Sequence, residues 1–184
     1  MVRTRRELSI FLSHLKVFEQ PNIRLEQYPS DGNTAAKLLW KASLDGDLEN
    51  KTIVDLGCGT GILGIGCLLL GAKHILFVDI DPGVENLLKE NIAILEQAYE
   101  FPGTWEFVCS DVKSFTTDKI VDTVVSNPPF GTKIKHADKS FLDKAISLAD
   151  AVYSMHKSST KVFLEAFARS HRLESWYEDV SFPL

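Results

Sequence analysis

The chain has 184 residues, of which 45% are hydrophobic, and a formal net charge of −5. This length fits one domain, which we assign to residues 1–184 with an N-terminal helical extension over residues 1–45, and the negative charge argues against nucleic-acid binding through the whole surface. The three cysteines and five histidines have no metal-ligand spacing, so we expect no metal site and a reducing, cytoplasmic location. The longest apolar run, residues 62–70, is too short to span a membrane.

The first predicted elements are two helices joined by a loop. Thr4 and Glu7 have the spacing of a capping box, and apolar residues recur at helical intervals as far as Phe18, which predicts a helix over residues 5–18. A loop through Gln27 follows. Ser30 and Asp31 are alternative N-caps of a second helix over about residues 32–43.

Two strand-like runs then flank a glycine-dense turn. Residues 52–56 form the first run, and Asp55-Leu56-Gly57-Cys58-Gly59-Thr60-Gly61-Ile62 leads from it into an apolar helical segment that ends near residue 70. The second run, residues 75–80, places Asp79 22 residues after Gly57. A strand, glycine turn and helix allow close backbone approach to a nucleotide-like ligand, and an acidic residue at this distance can accept hydrogen bonds from ribose hydroxyls. Glycine spacing alone is a weak signal.

A further strand ends in the motif Asn127-Pro128-Pro129-Phe130. Val121, Val124 and Val125 form the apolar run, and the two prolines prevent ladder hydrogen bonding beyond Asn127. The Asn127 side chain therefore lies at the carboxyl end of a strand, where open α/β sheets bind ligands.

The remaining predicted elements complete an α/β pattern. Helices are predicted over residues 82–99, 138–153 and 159–171, and strands over residues 105–109, 152–157 and 173–182.

Five segments, in this order, resemble the methyltransferase-like protein five family and its archaeal relatives, within the class I S-adenosylmethionine-dependent methyltransferases. The resemblance runs from about residue 19 to residue 159, and Ser30 departs from it because threonine is expected there. The segments are Leu25-Glu26-Gln27-Tyr28-Pro29, Asp55-Leu56-Gly57-Cys58-Gly59, Asp79-Ile80-Asp81, Asn127-Pro128-Pro129-Phe130-Gly131-Thr132-Lys133 and Val152-Tyr153-Ser154-Met155-His156-Lys157-Ser158-Ser159.

This resemblance implies a fold, an activity and a set of site residues. The implied fold is Rossmann-like, with a mostly parallel sheet, strand order 3-2-1-4-5-7-6 and helices on both faces. The implied activity is N6-adenine methylation of small-subunit ribosomal RNA with S-adenosylmethionine as cofactor. Catalysis is assigned to Asn127, Pro128, Pro129 and Phe130, and cofactor binding to Gln27, Tyr28, Ser30, Asp55, Gly57, Gly59, Thr60, Gly61, Ile62, Asp79, Ile80, Asp111, Val112 and Asn127.

The asparagine motif suits an adenine amine. This amine is a poor nucleophile and too weak an acid to be deprotonated first, so its rate of attack depends on positioning and polarisation. Two hydrogen bonds, to the Asn127 side-chain oxygen and the Pro128 carbonyl, would direct the lone pair at the methyl group. Phe130 would stack on an unpaired base. Downstream cations are candidate phosphate contacts, although a solvated loop explains them equally well: Lys133, Lys135, His136, Lys139 and Lys157.

The two ends of the sheet give two further expectations. The chain ends at Leu184, which leaves no residues for a seventh strand, so we expect the natural protein to continue. At the other end, Trp105 and Phe107 lie on the predicted edge strand, which runs to Cys109, and an exposed edge invites strand addition. The resemblance implies a small zinc-binding activator protein as the partner there.

Several alternatives remain open. The same asparagine constellation serves N5-glutamine methyltransferases acting on release factors, which usually have tyrosine at the position of Phe130. DNA adenine methylation would need a target-recognition domain. The glycine turn with Asp79 also fits a nicotinamide-dependent oxidoreductase, which leaves the asparagine motif unexplained. The last alternative is an interaction protein that binds cofactor without catalysis.

Overall fold

The computed structural model describes residues 2–22, 27, 30–129 and 137–178. Its elements are α1 (Arg5–Leu12), α2 (Gly32–Leu44), β1 (Thr52–Leu56), α3 (Ile62–Leu69), β2 (His74–Asp79), α4 (Val84–Ala98), β3 (Thr104–Cys109), β4 (Thr123–Ser126), α5 (Ala137–Leu148), β5 (Ala151–Ser154), a 3₁₀ turn (Ser158–Thr160) and α6 (Lys161–His171). Tyr28, Phe130, Lys133, Lys135 and His136 lie outside the described residues.

The five strands form one parallel sheet in the order β3-β2-β1-β4-β5. This confirms the predicted α/β class I methyltransferase fold and the 3-2-1-4-5 part of its strand order. The strand predicted over residues 173–182 is wrong for residues 173–178, which have no regular structure and are almost all exposed. Extended backbone becomes a strand only where a neighbour accepts its hydrogen bonds, and these residues pair with none of the five strands.

Apolar side chains cover both faces of the sheet, so its central strands are apolar along their whole length. On one face, α1, α2, α3 and α4 contribute residues to a core that includes Ile53, Ile75 and Phe77 of the sheet. On the other face, Val54, Leu56 and Leu76 pack with Ala145 of α5 and with the connection between β3 and β4.

The first helix is shorter than predicted, since it ends at Leu12 and not near residue 18. His14 Nδ1 bonds the Ile10 carbonyl at 2.6 Å, the group that an α-helical His14 N–H would use, and His14 N donates to the Phe11 carbonyl instead. A side chain that takes a helical acceptor competes with the helix in this way. Leu15 remains buried and Phe18 packs on the core, so the predicted apolar face is kept without helical structure.

Two other helix boundaries also differ from the prediction. The fourth helix begins at Val84 and not at Pro82, because the Asp81 side chain accepts a hydrogen bond from Gly83 N at 2.8 Å in a preceding turn. The fifth helix ends at Leu148 and not near residue 153, because Tyr153 pairs with Val125 in the β5–β4 register. Asp31 is the N-cap of α2, with its side chain accepting from Thr34 N.

Strand β3 is an edge of the sheet, as predicted, but its aromatic residues are not exposed. Trp105 and Phe107 are half-buried and pack against the core, and Trp105 makes an edge contact with Phe77 at a centroid distance of 6.1 Å. The exposed feature of this edge is therefore its backbone, because side chains at alternate positions point to the two faces of a sheet.

Candidate active site

The carboxyl ends of the parallel strands meet at one edge of the sheet. The glycine turn follows β1, Asp79 ends β2, Asp111 follows β3 and Asn127 follows β4. Residues that are far apart in the sequence are thus brought to one edge by the strand order.

The glycine turn is held against the end of β2. Gly57 N and Cys58 N both donate to the Val78 carbonyl, at 2.8 and 3.0 Å. Gly57, Gly59 and Gly61 have φ angles of 68°, 50° and 83°, a region that residues with a Cβ rarely adopt. A Cβ at Gly61 would also lie 2.3 Å from Leu88 Cδ1. The turn therefore requires glycine, and its backbone lies at the edge where a nucleoside would approach.

Asp55 lies beneath the turn and supports it. Its side chain is 1% exposed and accepts a hydrogen bond from Gly64 N at 2.8 Å, which fixes the first turn of α3. Burial raises the pKa of this carboxyl to about 7. Thr60 is also buried, at 6% exposure, whereas Ile62 is 7% exposed and belongs to the core.

Asp79 is the acidic residue that reaches the turn directly. Its two carboxylate oxygens accept from Gly59 N at 2.9 Å and from Asp81 N at 3.0 Å. Burial raises the pKa of Asp79. A carboxylate has about four lone-pair sites, so Asp79 can hold the turn and still accept from ribose hydroxyls.

The other predicted cofactor residues at the ends of β2 and β3 differ in their exposure. Ile80 is 50% exposed and offers an apolar surface beside the carboxylate. Asp111 is exposed, and its side chain accepts from Lys113 N at 2.7 Å. Val112 is 8% exposed and packs in the core on the α5 face, so it supports the site from below.

Asn127 has one satisfied and one unsatisfied side-chain atom. Nδ2 donates to Ser30 Oγ at 2.8 Å. Oδ1 is buried and has no hydrogen-bond partner in the part of the chain that the structure describes. A buried acceptor without a partner costs about 1–3 kcal/mol, which points to a donor that arrives with a ligand. Pro128 is buried and Pro129 half-buried directly after it.

The segment before α2 crosses the same edge. Gln27 Nε2 donates to Asp81 Oδ2 at 2.8 Å, and Gln27 Oε1 accepts from Asn22 N at 2.9 Å. Together with the Ser30–Asn127 bond, this contact brings Gln27 and Ser30 to the carboxyl edge of the sheet. Asn91 also reaches this region, through the Thr60 carbonyl, although no sequence pattern indicated it.

The predicted phosphate contacts are only partly described. Lys139 Nζ lies 2.7 Å from Asp143 Oδ2, one helical turn along α5, and Lys157 precedes the 3₁₀ turn. Within the described ranges, no group of three or more His, Cys, Asp or Glu side chains could hold a metal ion. None of the helices in that part of the chain has the length and apolar character needed to cross a membrane.

A parallel Rossmann-like sheet whose carboxyl edge carries a glycine turn, an acidic strand end and an Asn-Pro-Pro motif defines a class I methyltransferase. The residues present fit the cofactor of this class, S-adenosylmethionine, because the turn exposes no side chains of its own at its glycines and the Asp79 carboxylate, which keeps lone pairs beyond those used by Gly59 N and Asp81 N, lies at the same edge.

Comparison with known proteins gives the family. The sequence model of the methyltransferase small domain matches residues 31–167. METTL5 of Danio rerio, named an rRNA N(6)-adenosine-methyltransferase, is 37% identical over 174 residues, which are 92% of this chain and 82% of the relative. MJ0284 of Methanocaldococcus jannaschii is 36% identical over 87% of this chain and 74% of its own length. The chain therefore belongs to the methyltransferase small domain family, together with METTL5, and the resemblance seen in the sequence is confirmed.

Solved structures agree with this assignment. The crystal structure of PH1948 from Pyrococcus horikoshii superposes with a TM-score of 0.82 at 43% identity, covering 93% of this chain and 81% of PH1948. The Synechocystis magnesium protoporphyrin IX methyltransferase ChlM, solved with bound S-adenosylhomocysteine, has a TM-score of 0.53 at 18% identity, which shows the shared fold alone.

Proposed function

We propose that the chain transfers a methyl group from S-adenosylmethionine to N6 of an adenosine in small-subunit ribosomal RNA. The observation that carries this proposal is the buried Asn127 Oδ1 at the end of β4, which has no hydrogen-bond partner among the described residues. It is an acceptor that no described residue supplies with a donor, and an exocyclic adenine amine has two N–H groups to offer. The names of the METTL5 relatives support rRNA as the substrate.

The chemistry requires an acceptor and no base. S-adenosylmethionine supplies a methyl group on a positively charged sulfur. Asn127 Oδ1 accepts one N6–H, and the Pro128 carbonyl accepts the other, so the nitrogen lone pair is directed at the methyl carbon. As the N–C bond forms, the methyl–sulfur bond would break and S-adenosylhomocysteine would leave, and the cationic nitrogen would then lose its proton to solvent. Ser30 Oγ accepts a hydrogen bond from Asn127 Nδ2, and this bond orients the amide so that Oδ1 would face the substrate.

The cofactor would be held by residues of three strand ends. The glycine turn approaches its nucleoside, Asp79 accepts from the ribose hydroxyls, and Ile80 packs against the adenine. Asp111, which is exposed after β3, would accept a hydrogen bond from the cofactor's adenine amine. Tyr28 belongs to this proposal from its motif alone.

The acceptor base must be unpaired to enter the site, because its N6 edge is otherwise occupied by base pairing. Phe130, directly after the two prolines, would stack on it, worth roughly 1–3 kcal/mol. The flanking phosphates would be held by Lys133, Lys135, Lys139 and Lys157 as local contacts, which suits a chain whose net charge is −5.

We place a small zinc-binding activator protein at the β3 edge. Thr104 N and Ser110 N donate to the Lys73 and Asp79 carbonyls on the β2 side. Because N–H groups alternate in direction along a strand, those of Trp105, Phe107 and Cys109 point away from β2, toward the open edge. An open groove of about 500 Å³ lies beside this strand, lined by Leu76, Glu106, Val108, Phe115, Thr116, Thr117, Asp118 and Lys119. A partner strand would pair with the outward backbone groups of β3, and side chains of the same partner would fill the groove.

The three free cysteines, Cys58, Cys67 and Cys109, support a cytoplasmic location, where thiols remain reduced.

The decisive experiment is methyl transfer from labelled S-adenosylmethionine to purified small-subunit rRNA and, in parallel, to a release factor. We expect label in the RNA, recovered as N6-methyladenosine after digestion, and none when Asn127 is replaced by alanine. Label in a glutamine of the release factor alone would replace the RNA proposal by the glutamine alternative. A thermal shift with NAD and none with S-adenosylmethionine would favour the oxidoreductase.

A further inference from the structure

Asn91 is a buried polar side chain on α4 that no sequence motif indicated. It is 0% exposed and lies on the helix face that also buries Leu88, Ile92 and Leu95. An amide in such surroundings is costly unless its hydrogen bonds are made. The hydrogen-bond partners of Asn91 therefore indicate its role.

The Asn91 amide joins two segments of backbone. Its Oδ1 accepts from Lys16 N at 2.7 Å, and its Nδ2 donates to the Lys16 carbonyl at 3.0 Å and to the Thr60 carbonyl at 2.9 Å. Both N–H donors are thus used, one on each segment. Lys16 follows α1, whereas Thr60 lies between Gly59 and Gly61 in the cofactor turn.

The segment that contains Lys16 reaches the cofactor edge at other points. We call residues 13–22, 27, 30 and 31 the N-terminal arm. The Phe18 ring lies against Gly59, where an added Cβ would be 3.5 Å from its Cζ atom. Gln27 donates to Asp81, and Ser30 accepts from Asn127. The arm therefore contacts the turn, the end of β2 and the asparagine motif.

We propose that Asn91 is a positioning residue that couples docking of the N-terminal arm to the conformation of the glycine turn, so that arm docking and S-adenosylmethionine binding strengthen each other. The link is physical, because the same Nδ2 group donates to the Thr60 and Lys16 carbonyls. A movement of the Thr60 carbonyl therefore shifts the group that holds Lys16. Such coupling is reciprocal: whatever the arm contributes to cofactor affinity, the cofactor contributes to arm docking. The inference concerns the cofactor and holds whichever molecule accepts the methyl group.

The test uses the full chain with Asn91→Asp, which keeps the shape of the side chain but replaces its donors by an oxygen that faces two carbonyls. Asn86→Asp is the matched control, because Asn86 is exposed on the same helix and acquires the same charge. Glu90→Gln is a second control, since it removes only the exposed ion pair between Glu90 and Lys16 Nζ, 2.8 Å apart. Such exposed pairs contribute little.

Two measurements are needed: S-adenosylmethionine affinity by calorimetry, and hydrogen exchange over residues 13–18 with and without the cofactor. We expect the cofactor to slow exchange at Lys16 in the wild type and both controls. In Asn91→Asp, a carboxylate oxygen still accepts from Lys16 N, but the other oxygen faces the Lys16 and Thr60 carbonyls and breaks the link between them. Exchange at Lys16 should therefore be unaffected by the cofactor, and cofactor affinity should fall by about tenfold or more, because two hydrogen bonds are replaced by repulsive contacts.

Unchanged affinity in Asn91→Asp, or cofactor-dependent protection equal to the wild type, would overturn the coupling. A residue with a merely structural role would lower the melting temperature and leave that protection intact. If Asn91→Asp does not fold, Phe18→Ala tests the same link from the arm, because it leaves Asn91 in place. Wild-type affinity together with wild-type protection at Lys16 in Phe18→Ala would equally refute the proposal.

Discussion

The Asn127 side-chain amide donates to Ser30 Oγ at 2.8 Å, across 97 residues of sequence. This bond fixes which side of the amide faces Ser30, and it leaves Oδ1 buried and without a partner among the described residues. The hydroxyl before α2 therefore sets the direction of the acceptor at the end of β4.

Ser30→Ala should lower kcat, because the Asn127 amide loses the group that orients it. A hydrogen bond of this kind contributes about 1 kcal/mol, so a fall of roughly fivefold to tenfold is expected. Ser30→Thr is the matched control, since it keeps the hydroxyl, and should retain most of the rate. Single-turnover methyl transfer at saturating cofactor measures both. Equal rates for alanine and serine would remove Ser30 from the positioning of Asn127.

Asn127→Ala should keep most of the affinity for S-adenosylmethionine and lose nearly all turnover. Removal of one preorganised polar group at a reacting centre costs about a hundredfold or more in rate. The proposed cofactor contacts of Asp79 and the glycine turn do not involve the residue changed in this variant. Calorimetry and labelled methyl transfer separate the two effects, and a variant with near-normal kcat would show that the adenine amine is held elsewhere.

Asp79→Ala should weaken S-adenosylmethionine binding by at least tenfold, because bonds to a charged group contribute about 1.5–3 kcal/mol. Asp79 also accepts from Gly59 N, so the alanine variant loosens the turn as well. Asp79→Asn keeps an oxygen for Gly59 and isolates the loss of charge. Asp118→Ala, an exposed acidic position beside β3, is the control. Calorimetry with unchanged affinity in both Asp79 variants would exclude the residue from the cofactor site.

The buried Asp55 predicts a pH dependence of stability. Burial raises its pKa in the folded state to about 7, against an ordinary value near 3.8. Between these two pH values the folded chain binds the proton more tightly than the unfolded chain, so this contribution to stability is full below about pH 4, is lost as pH rises to about 7, and then stays constant.

Asp55→Asn should remove that contribution, because an amide does not titrate in this range. The difference in melting temperature between Asp55→Asn and the wild type should therefore shift in favour of the variant as pH rises from 4.5 to 8. Asp79, whose pKa is also raised, is present in both chains, so the difference reports Asp55 together with its repulsion from Asp79. A difference that is independent of pH would show that Asp55 is ionised throughout this range in the folded chain.

The groove beside β3 predicts a selective loss of partner binding. Thr116 is exposed at the groove, so Thr116→Arg should obstruct a partner there without disturbing the core. Ile120→Arg is the control, since Ile120 is 87% exposed and lies outside the groove lining. Titration with the proposed zinc-binding activator should show weaker binding for Thr116→Arg only, with cofactor affinity unchanged in both. Wild-type partner affinity for Thr116→Arg would place the interface elsewhere.

The β3 aromatics show why a sequence pattern can identify an edge and misjudge what is exposed on it. Alternating large apolar residues correctly predicted a strand, and the family order correctly placed it at the edge. The pattern could not tell that Trp105 and Phe107 pack against the core, where Trp105 contacts Phe77. A double lysine substitution at these two residues would therefore damage the core as well as the edge.

The sequence by itself determined the features that depend on short range. The β-branched run of β1, the glycines with positive φ, the acidic end of β2 and the two prolines after Asn127 follow from local sterics and spacing. These features are enough to predict the fold class and the edge of the sheet at which the site lies. Their order along the chain also carried the resemblance to the family.

Only the tertiary structure decided which side chains act together. Ser30 meets Asn127, Gln27 meets Asp81 and Asn91 meets Lys16 and Thr60 because packing brings distant segments to one edge. It also decided that α1 ends at Leu12, where the His14 ring takes a helical acceptor. Hydrogen-bond partners of this kind are chosen by the geometry of the folded chain, and an asparagine or serine looks the same in the sequence whether its partner is water or a buried amide.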